Sequence, residues 1–298
     1  GLDYKLDEII VCTGAKQAIF GALTATLEPD DEVIVPAPYY LGYFDITQLC
    51  GGNPVPARTL AEHGFKLRPA ALEEVITPRT RWLVLNSPSN PSGAVYSQDE
   101  LRTLSGVLMK HPRIGILCDD IYEHILFDGR KYATFAQAVP ELHDRTLTVN
   151  GVSKAYAMTG WRIGYAGGPK HLIKAMGKVQ SQCTHGPSSI GQAAALAALE
   201  GPQDLVRERS DLFQRRRDFV VEALNKAAGM HCPVPEGAFY VFGGDERYAV
   251  RHARPFAHFN CIFGRSARRG VRAYSARVFF DTLSVPVVHR KVRHVQPA

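Results

Sequence analysis

The sequence predicts an α/β protein, a mainly parallel sheet sandwiched by helices, with a smaller unit at the C-terminal side. Three observations predict it. Apolar runs of strand length alternate with amphipathic stretches of helix length, the pattern of strands joined by crossover helices. Most of the apolar runs stop at a turn carrying Gly, Pro, Asn or Asp. A long, charged helical stretch then carries the chain from the alternating region into the smaller unit.

In chain order, the run 8–13 (EIIVCT) reads as a strand that stops at Gly14, and a helix is expected over 16–27. A second strand, 32–35 (EVIV), is followed by Pro36. A third, 81–86 (RWLVLN), leads into NSPSNPSG, whose prolines rule out a helix and hold Asn90 on a rigid loop. A helix over 98–111 precedes the strand 114–118, which ends at Asp119 and Asp120. The strand 146–149 ends at Asn150 and Gly151, and helices are expected over 169–182, 190–200 and 202–227.

Length and composition are those of a folded enzyme-sized chain. With 298 residues, 45% hydrophobic and 21% charged, it can bury a substantial core, and disorder is not expected. No apolar run approaches the roughly 18 residues of a membrane span, and no basic-then-apolar leader opens the chain, so a cytoplasmic location is expected. The six cysteines lie apart, without a CxxC pair, which argues against a disulfide framework and against a zinc site; no metal is expected. The formal charge of +6 is not spread over the chain. From Arg247 onward ten Arg and one Lys face the single acid Asp281, while the residues before are net acidic. A fold-wide basic face for nucleic acid is therefore not expected.

Ligands of open α/β sheets collect at the carboxyl ends of strands. After the first strand come Gly14, Ala15 and Lys16, opening a helix whose free amides and dipole can hold a phosphate. On its own such a turn is an ordinary structural device. Asn90 can donate and accept, although a turn asparagine also satisfies its own backbone. Asp119 places a carboxylate at a strand end, with the phenol of Tyr122 nearby; read alone, such an Asp is also a helix cap. Lys154, in a polar, Gly-bordered turn after a β-rich run, can form a Schiff base if its pKa is depressed and an aldehyde cofactor lies beside it. Arg162 then supplies a fixed cation for a phosphate.

The segment 151–164, GVSKAYAMTGWRIG, resembles the lysine-attachment signature of class I pyridoxal-phosphate aminotransferases at every restricted position. APYY (37–40), NSPSNPSG (86–93), the Asp119 to Tyr122 run and EGAFYVF (236–242) resemble the same family's motif series in order and spacing, close to its bacterial aspartate aminotransferase branch. The resemblance runs from Gly1 to about Phe242. It implies the fold-type I architecture, with pyridoxal 5′-phosphate as cofactor.

Carried over residue by residue, the resemblance makes Lys154 the lysine that bonds the cofactor and Asp119 the partner of its pyridine nitrogen. Tyr122 and Asn90 are implied on the cofactor's phenolate oxygen, Asn90 also on the substrate carboxylate. Tyr40 stands where this branch usually has a Trp against the cofactor ring, and it also borders the substrate. Gly14, Ala15, Lys16 and Arg162 are implied around the phosphate. Many relatives have a hydroxyl where this chain has Gly151, and Ser153 is the replacement at hand. The implied reaction is a two-half, ping-pong transfer of an amino group from an amino acid, aspartate- or glutamate-like, to a 2-oxo acid. A homodimer with the site at its interface is implied as well.

The resemblance divides the chain into a cofactor-binding large domain over 1–203, the start of a small C-terminal α/β domain over 204–246, and an Arg-rich tail over 247–298. An amino-terminal part of the family pattern is absent before Gly1, which is expected to leave apolar surface exposed and to bear on dimerisation. The tail has the composition of a GC-rich gene read out of frame; a divergent basic tail is the other reading. The family's carboxylate-clamping arginine has no counterpart here, since Arg277 in ARVFFDT matches poorly in flanks and position. Weak turnover is the expectation, with a non-catalytic cofactor-binding remnant or another fold-type I enzyme, such as a carbon–sulfur lyase, as alternatives.

Overall fold

Consecutive residues of the central strands bury alternately on two faces, which is what makes this sheet the middle layer of a sandwich. The computed structural model describes residues 2–245 and, as backbone, 257–262; expectations on the rest of 247–298, Arg277 among them, lie outside these residues. Its strands are β1 (Ile9–Cys12), β2 (Glu32–Ala37), β3 (Asn53–Arg58), β4 (Thr80–Asn86), β5 (Gly115–Asp119), β6 (Thr146–Gly151) and β7 (Gly164–Gly167). They form one sheet in the order β1-β7-β6-β5-β4-β2-β3. The pairs from β3 to β6 are parallel, and β7 runs antiparallel to both β1 and β6. The predicted mainly parallel, helix-covered sheet is the fold observed.

The helices are α1 (Ala15–Thr26), α2 (Leu41–Leu49), α3 (Pro69–Val75), α4 (Gln98–Leu108), α5 (Phe135–Ala138), α6 (Lys170–Cys183), α7 (Ser189–Glu200) and α8 (Asp204–Asn225). On one face Val33, Val35, Trp82, Val84 and Leu117 pack with Ala18, Ile19 and Leu23 of α1 and Leu172, Ile173 and Met176 of α6. On the other, Ile34, Leu83, Leu85, Ile116 and Cys118 pack with α3, α4 and α5. Each such Leu or Ile contributes roughly 1.5–3 kcal/mol by leaving water. Helix α4 begins with a capping box, Ser97 Oγ accepting from the Glu100 amide and the Glu100 carboxylate accepting from the Ser97 amide.

Two strands of this sheet are not among those expected from the sequence. β3 contains Pro54 and Pro56, tolerated because it is the edge strand and pairs only with β2 among the described residues. β7 is GYAG, too poor in β-branched residues to announce itself.

Helix α8 leads to a second, antiparallel sheet, β10-β9-β8, formed by β8 (Met230–His231), β9 (Tyr240–Asp245) and β10 (Ala257–Ile262). Val220, Val221 and Leu224 of α8 pack on Cys232 and Val241. The first sheet and the second are stitched together before β9. The Glu236 and Gly237 amides donate to Gly93 O, Phe127 N donates to Glu236 O, and Ala238 N donates to Ile125 O. Arg217, 2% exposed, forks onto Asp128 at 2.6 and 2.9 Å and donates to Pro235 O. Among the described residues, no helix is long and apolar enough to cross a membrane.

Candidate active site

The carboxyl ends of β1, β4, β5 and β6 bring the sequence-predicted residues together. Asp119 is the last residue of β5 and shares a face with Leu117, so its carboxylate enters the core beneath α2. It is 6% exposed. Tyr43 Oη donates to its Oδ2 at 2.7 Å, and the Ile121 amide lies 3.3 Å from its Oδ1. Burial pushes the Asp119 pKa up; the Tyr43 hydrogen bond, the Ile121 amide and the positive charge of Lys154 pull it back.

Lys154 stands in the loop between β6 and β7. Its Nζ lies 5.9 Å from the Tyr122 ring centroid and 5.6 Å from that of Phe239. Burial depresses its pKa, and the cations Arg162 and Lys16 add to this, while Asp119 opposes it. The amine is therefore available as a neutral base at lower pH than an ordinary lysine.

Asn90 is held from behind: its amide N–H donates to Asn86 Oδ1 at 2.7 Å, and Asn86 Nδ2 donates to Asp119 O at 2.8 Å. Its side chain reaches forward, Nδ2 donating to Tyr240 Oη at 3.1 Å. The Tyr240 and Tyr122 hydroxyls are 2.6 Å apart. Burial raises both phenols, Tyr240 to about 12, so both remain protonated. Tyr40 is the N-cap of α2 and packs edge-on against Tyr43, ring centroids 5.5 Å apart, with Lys16 Nζ 5.4 Å from its centroid.

The turn from β1 into α1 completes the arrangement. Gly14, the N-cap of α1, has φ +85°, a conformation that glycine alone adopts readily. A β-carbon there would collide with Arg162 Nη2, so the guanidinium lies directly against the glycine. Arg162 Nη1 donates to Thr159 O at 2.9 Å, which fixes the cation. Gly164 matters for the same contact, since a side chain on it would strike the Ala15 amide. The first turn of α1, at Ala15 and Lys16, carries amides without intrahelical acceptors. Together these form a corner whose amides and guanidinium are the donors an anion requires. A β-carbon at Gly151 would come within 2.9 Å of Ile163 O and 3.0 Å of Gly164 Cα, so little room exists for the hydroxyl residue many relatives carry there. Ser153 is buried close by in sequence.

Two polar residues of this cluster, Tyr43 and Tyr240, were not singled out from the sequence. Tyr240 lies inside EGAFYVF, so its neighbourhood was flagged but its hydroxyl was not. Tyr43 sits one helical turn from Tyr40, on the face toward β5, a position visible only once α2 is placed.

A half-buried lysine, a buried carboxylate, paired hydroxyl and amide donors, and a helix-opening turn beside an arginine meet at the strand ends of an α/β sheet, and they define the class: a site of enzyme type. The model of the aminotransferase class I and II family matches residues 1–255, and the chain belongs to that family. An aspartate aminotransferase of Rhizobium meliloti is 61% identical over 244 residues, 82% of this chain and 60% of the relative. An aspartate/prephenate aminotransferase of Cereibacter sphaeroides is 57% identical over 242 residues, 81% and 60% of the two chains. The chain thus spans about three-fifths of the length of these relatives. The crystal structure of the Rhizobium meliloti aspartate aminotransferase superposes with a TM-score of 0.84 at 52% identity, covering 88% of this chain and 73% of that one. A Thermus thermophilus aspartate aminotransferase solved with maleate gives 0.77 at 40% identity, over 88% and 72%.

Proposed function

We propose that this chain holds pyridoxal 5′-phosphate on Lys154 and serves amino transfer between an aspartate- or glutamate-like amino acid and a 2-oxo acid. The observation that carries the reading is the convergence of Lys154, Asp119, Tyr122 and Asn90 within one buried cluster, with the Gly14–Arg162 corner beside it.

The donor set fits the cofactor. Asp119 is a buried carboxylate held above its ordinary range by desolvation, and a protonated pyridine nitrogen is the cation that would reverse that shift. Arg162, held against Gly14, and the first-turn amides of α1, at Ala15 and Lys16, suit a phosphate dianion. Tyr122 and Asn90 supply neutral donors for a phenolate oxygen. Tyr40 offers a ring face. When bound, the cofactor supplies an electron sink that acidifies the substrate's Cα–H bond.

The protein's own part is proton management and positioning. Lys154 Nζ would be a base whose proton affinity burial has lowered, able to take and hold the proton of the substrate's Cα. Asp119, oriented by Tyr43, would hold the cofactor's ring nitrogen in its protonated form. Phe239 and Tyr240 pack beside Lys154 and Tyr122 on the side of the second sheet. A cytoplasmic location and a homodimer belong to the same reading.

The test is to incubate the purified chain and its Lys154→Ala variant with pyridoxal phosphate, reduce with borohydride, and locate the added mass. Modification of Lys154, a visible band that shifts on adding aspartate, and oxaloacetate formed with 2-oxoglutarate support the reading. A band without transfer reduces the chain to a cofactor-binding remnant; ammonia, pyruvate and a thiol formed from an added cysteine thioether would instead make it a lyase. No band, or one that survives Lys154→Ala, overturns it.

A further inference from the structure

Tyr240 is assigned to no role by the family motifs quoted above, yet its hydroxyl is the hub of the site's neutral donors. It reaches the cluster from β9, in the second sheet, and its side chain is 5% exposed. Its Oη accepts from Asn90 Nδ2 at 3.1 Å and lies 2.6 Å from Tyr122 Oη. Because Asn90 already donates to it, Tyr240 has its own hydrogen free to pass on. Passed to Tyr122, that hydrogen leaves the Tyr122 hydrogen to point at a ligand. The opposite order would spend the Tyr122 hydrogen inside the protein. With an acceptor oxygen in front of Tyr122, the order is a relay, Asn90 to Tyr240 to Tyr122, in which each bond polarises the next and the last hydroxyl becomes a stronger donor.

The approach of Tyr240 is fixed by an ion cluster just before β9. Glu236 accepts from the Val95 amide at 2.9 Å and pairs with Lys66 at 3.3 Å and Arg130 at 2.6 Å. Val95 follows the Asn90 loop and Arg130 follows the Tyr122 segment. One carboxylate thus ties the strand bearing Tyr240 to the two segments whose side chains Tyr240 bonds.

We infer that Tyr240 is a positioning residue for the bound cofactor, strengthening the Tyr122 hydrogen bond to the phenolate oxygen and so lowering the proton affinity of the nitrogen that Lys154 contributes. The inference rests on the proposed pyridoxal-phosphate reading. The titratable groups facing this relay are Tyr122, Tyr40 and Asp119, with Lys154 above the Tyr122 ring.

The experiment compares the wild-type chain with Tyr240→Phe, Tyr122→Phe and the double variant, each loaded with pyridoxal phosphate. The readout is the pH midpoint of the cofactor's visible absorbance change, together with the melting temperature of the cofactor-free protein. Tyr240→Phe keeps the ring, its edge-on contact with Tyr122 and its tilted contact with Phe239, so packing is retained. Its midpoint is expected to rise by about half a unit to one unit, the scale of one hydrogen bond to a titrating group. Tyr122→Phe should raise it further, and the double variant should match Tyr122→Phe, because Tyr240 acts through Tyr122. A Tyr240→Phe midpoint equal to wild type, or a double variant shifted by the sum of the two, overturns the relay. Absence of any band in the wild type overturns the cofactor reading, and the inference with it.

Discussion

Tyr43 Oη donates a 2.7 Å hydrogen bond to Asp119 Oδ2 inside the protein, from the first turn of α2 to the last residue of β5. Tyr43 is 2% exposed, and both burial and the neighbouring carboxylate push its pKa well above the phenol range, so it is a fixed donor at every working pH. It is one of three groups that hold the Asp119 carboxylate toward ionisation against the cost of burial, with the Ile121 amide and Lys154.

Tyr43→Phe removes that donor and leaves the ring. The Asp119 pKa then rises further, because the ionised form loses a hydrogen bond of about 1.5–3 kcal/mol while burial is unchanged. A group that must be ionised to serve the ring nitrogen is therefore lost at higher pH than before. Cofactor affinity, followed by absorbance titration at several pH values, is expected to fall about tenfold at the acid end and to converge on wild type at alkaline pH. Equal weakening at all pH values would mean that the hydroxyl acts on packing and not on Asp119.

The Gly14 position is the second point of leverage. Alanine there faces φ +85° and the Arg162 guanidinium at once. Strain of this kind costs about 1–3 kcal/mol, and the displaced cation would leave the α1 turn. Gly14→Ala is expected to weaken binding of pyridoxal phosphate, and competition by inorganic phosphate, at least tenfold. Pyridoxal without the phosphate should react with Lys154 as well as it does in wild type. If both aldehydes weaken equally, the corner is not the phosphate site.

Much of this was legible because the informative residues are local. The Gly14 turn, the rigid loop around Asn90, and the spacing of Lys154 and Arg162 each announce a backbone shape in a few consecutive residues. The parallel strands β2, β4 and β5 are buried on both faces and so read as continuous apolar runs, while β6 announces itself by the β-branched residues of TLTV. What escaped was set by long-range packing. Pro-containing β3 is a strand only because β2 lies beside it, and Gly-rich β7 only because β1 and β6 flank it. Tyr43 and Tyr240 acquire roles from partners 76 and 118 positions away, Asp119 and Tyr122, a relationship no local window contains.

Asp120, next to Asp119 but buried among other partners, provides a prediction on stability that is independent of the proposed site. It is 3% exposed, accepts from Thr134 Oγ1 at 2.7 Å, and has the Tyr132 phenol beside it, buried and without a well-aligned hydrogen-bond partner. Burial pushes its pKa up to about 7; the Tyr132 and Thr134 hydroxyls pull down, while Glu123 and Asp119 push up. The folded state therefore keeps a proton that the unfolded chain releases near pH 4, and the slope of stability with pH is negative between the two values. The contribution is fully present below about pH 4 and is lost as pH rises to about 7. Asp120→Asn cannot ionise and retains an acceptor for Thr134, so it escapes that loss. Its melting temperature is expected to match or fall below wild type at pH 4.5 and to exceed it by a few degrees at pH 8, for a gain of at most a few kcal/mol. Calorimetric melts across this range decide the matter: curves that run parallel at every pH would mean that Asp120 does not titrate in the folded protein.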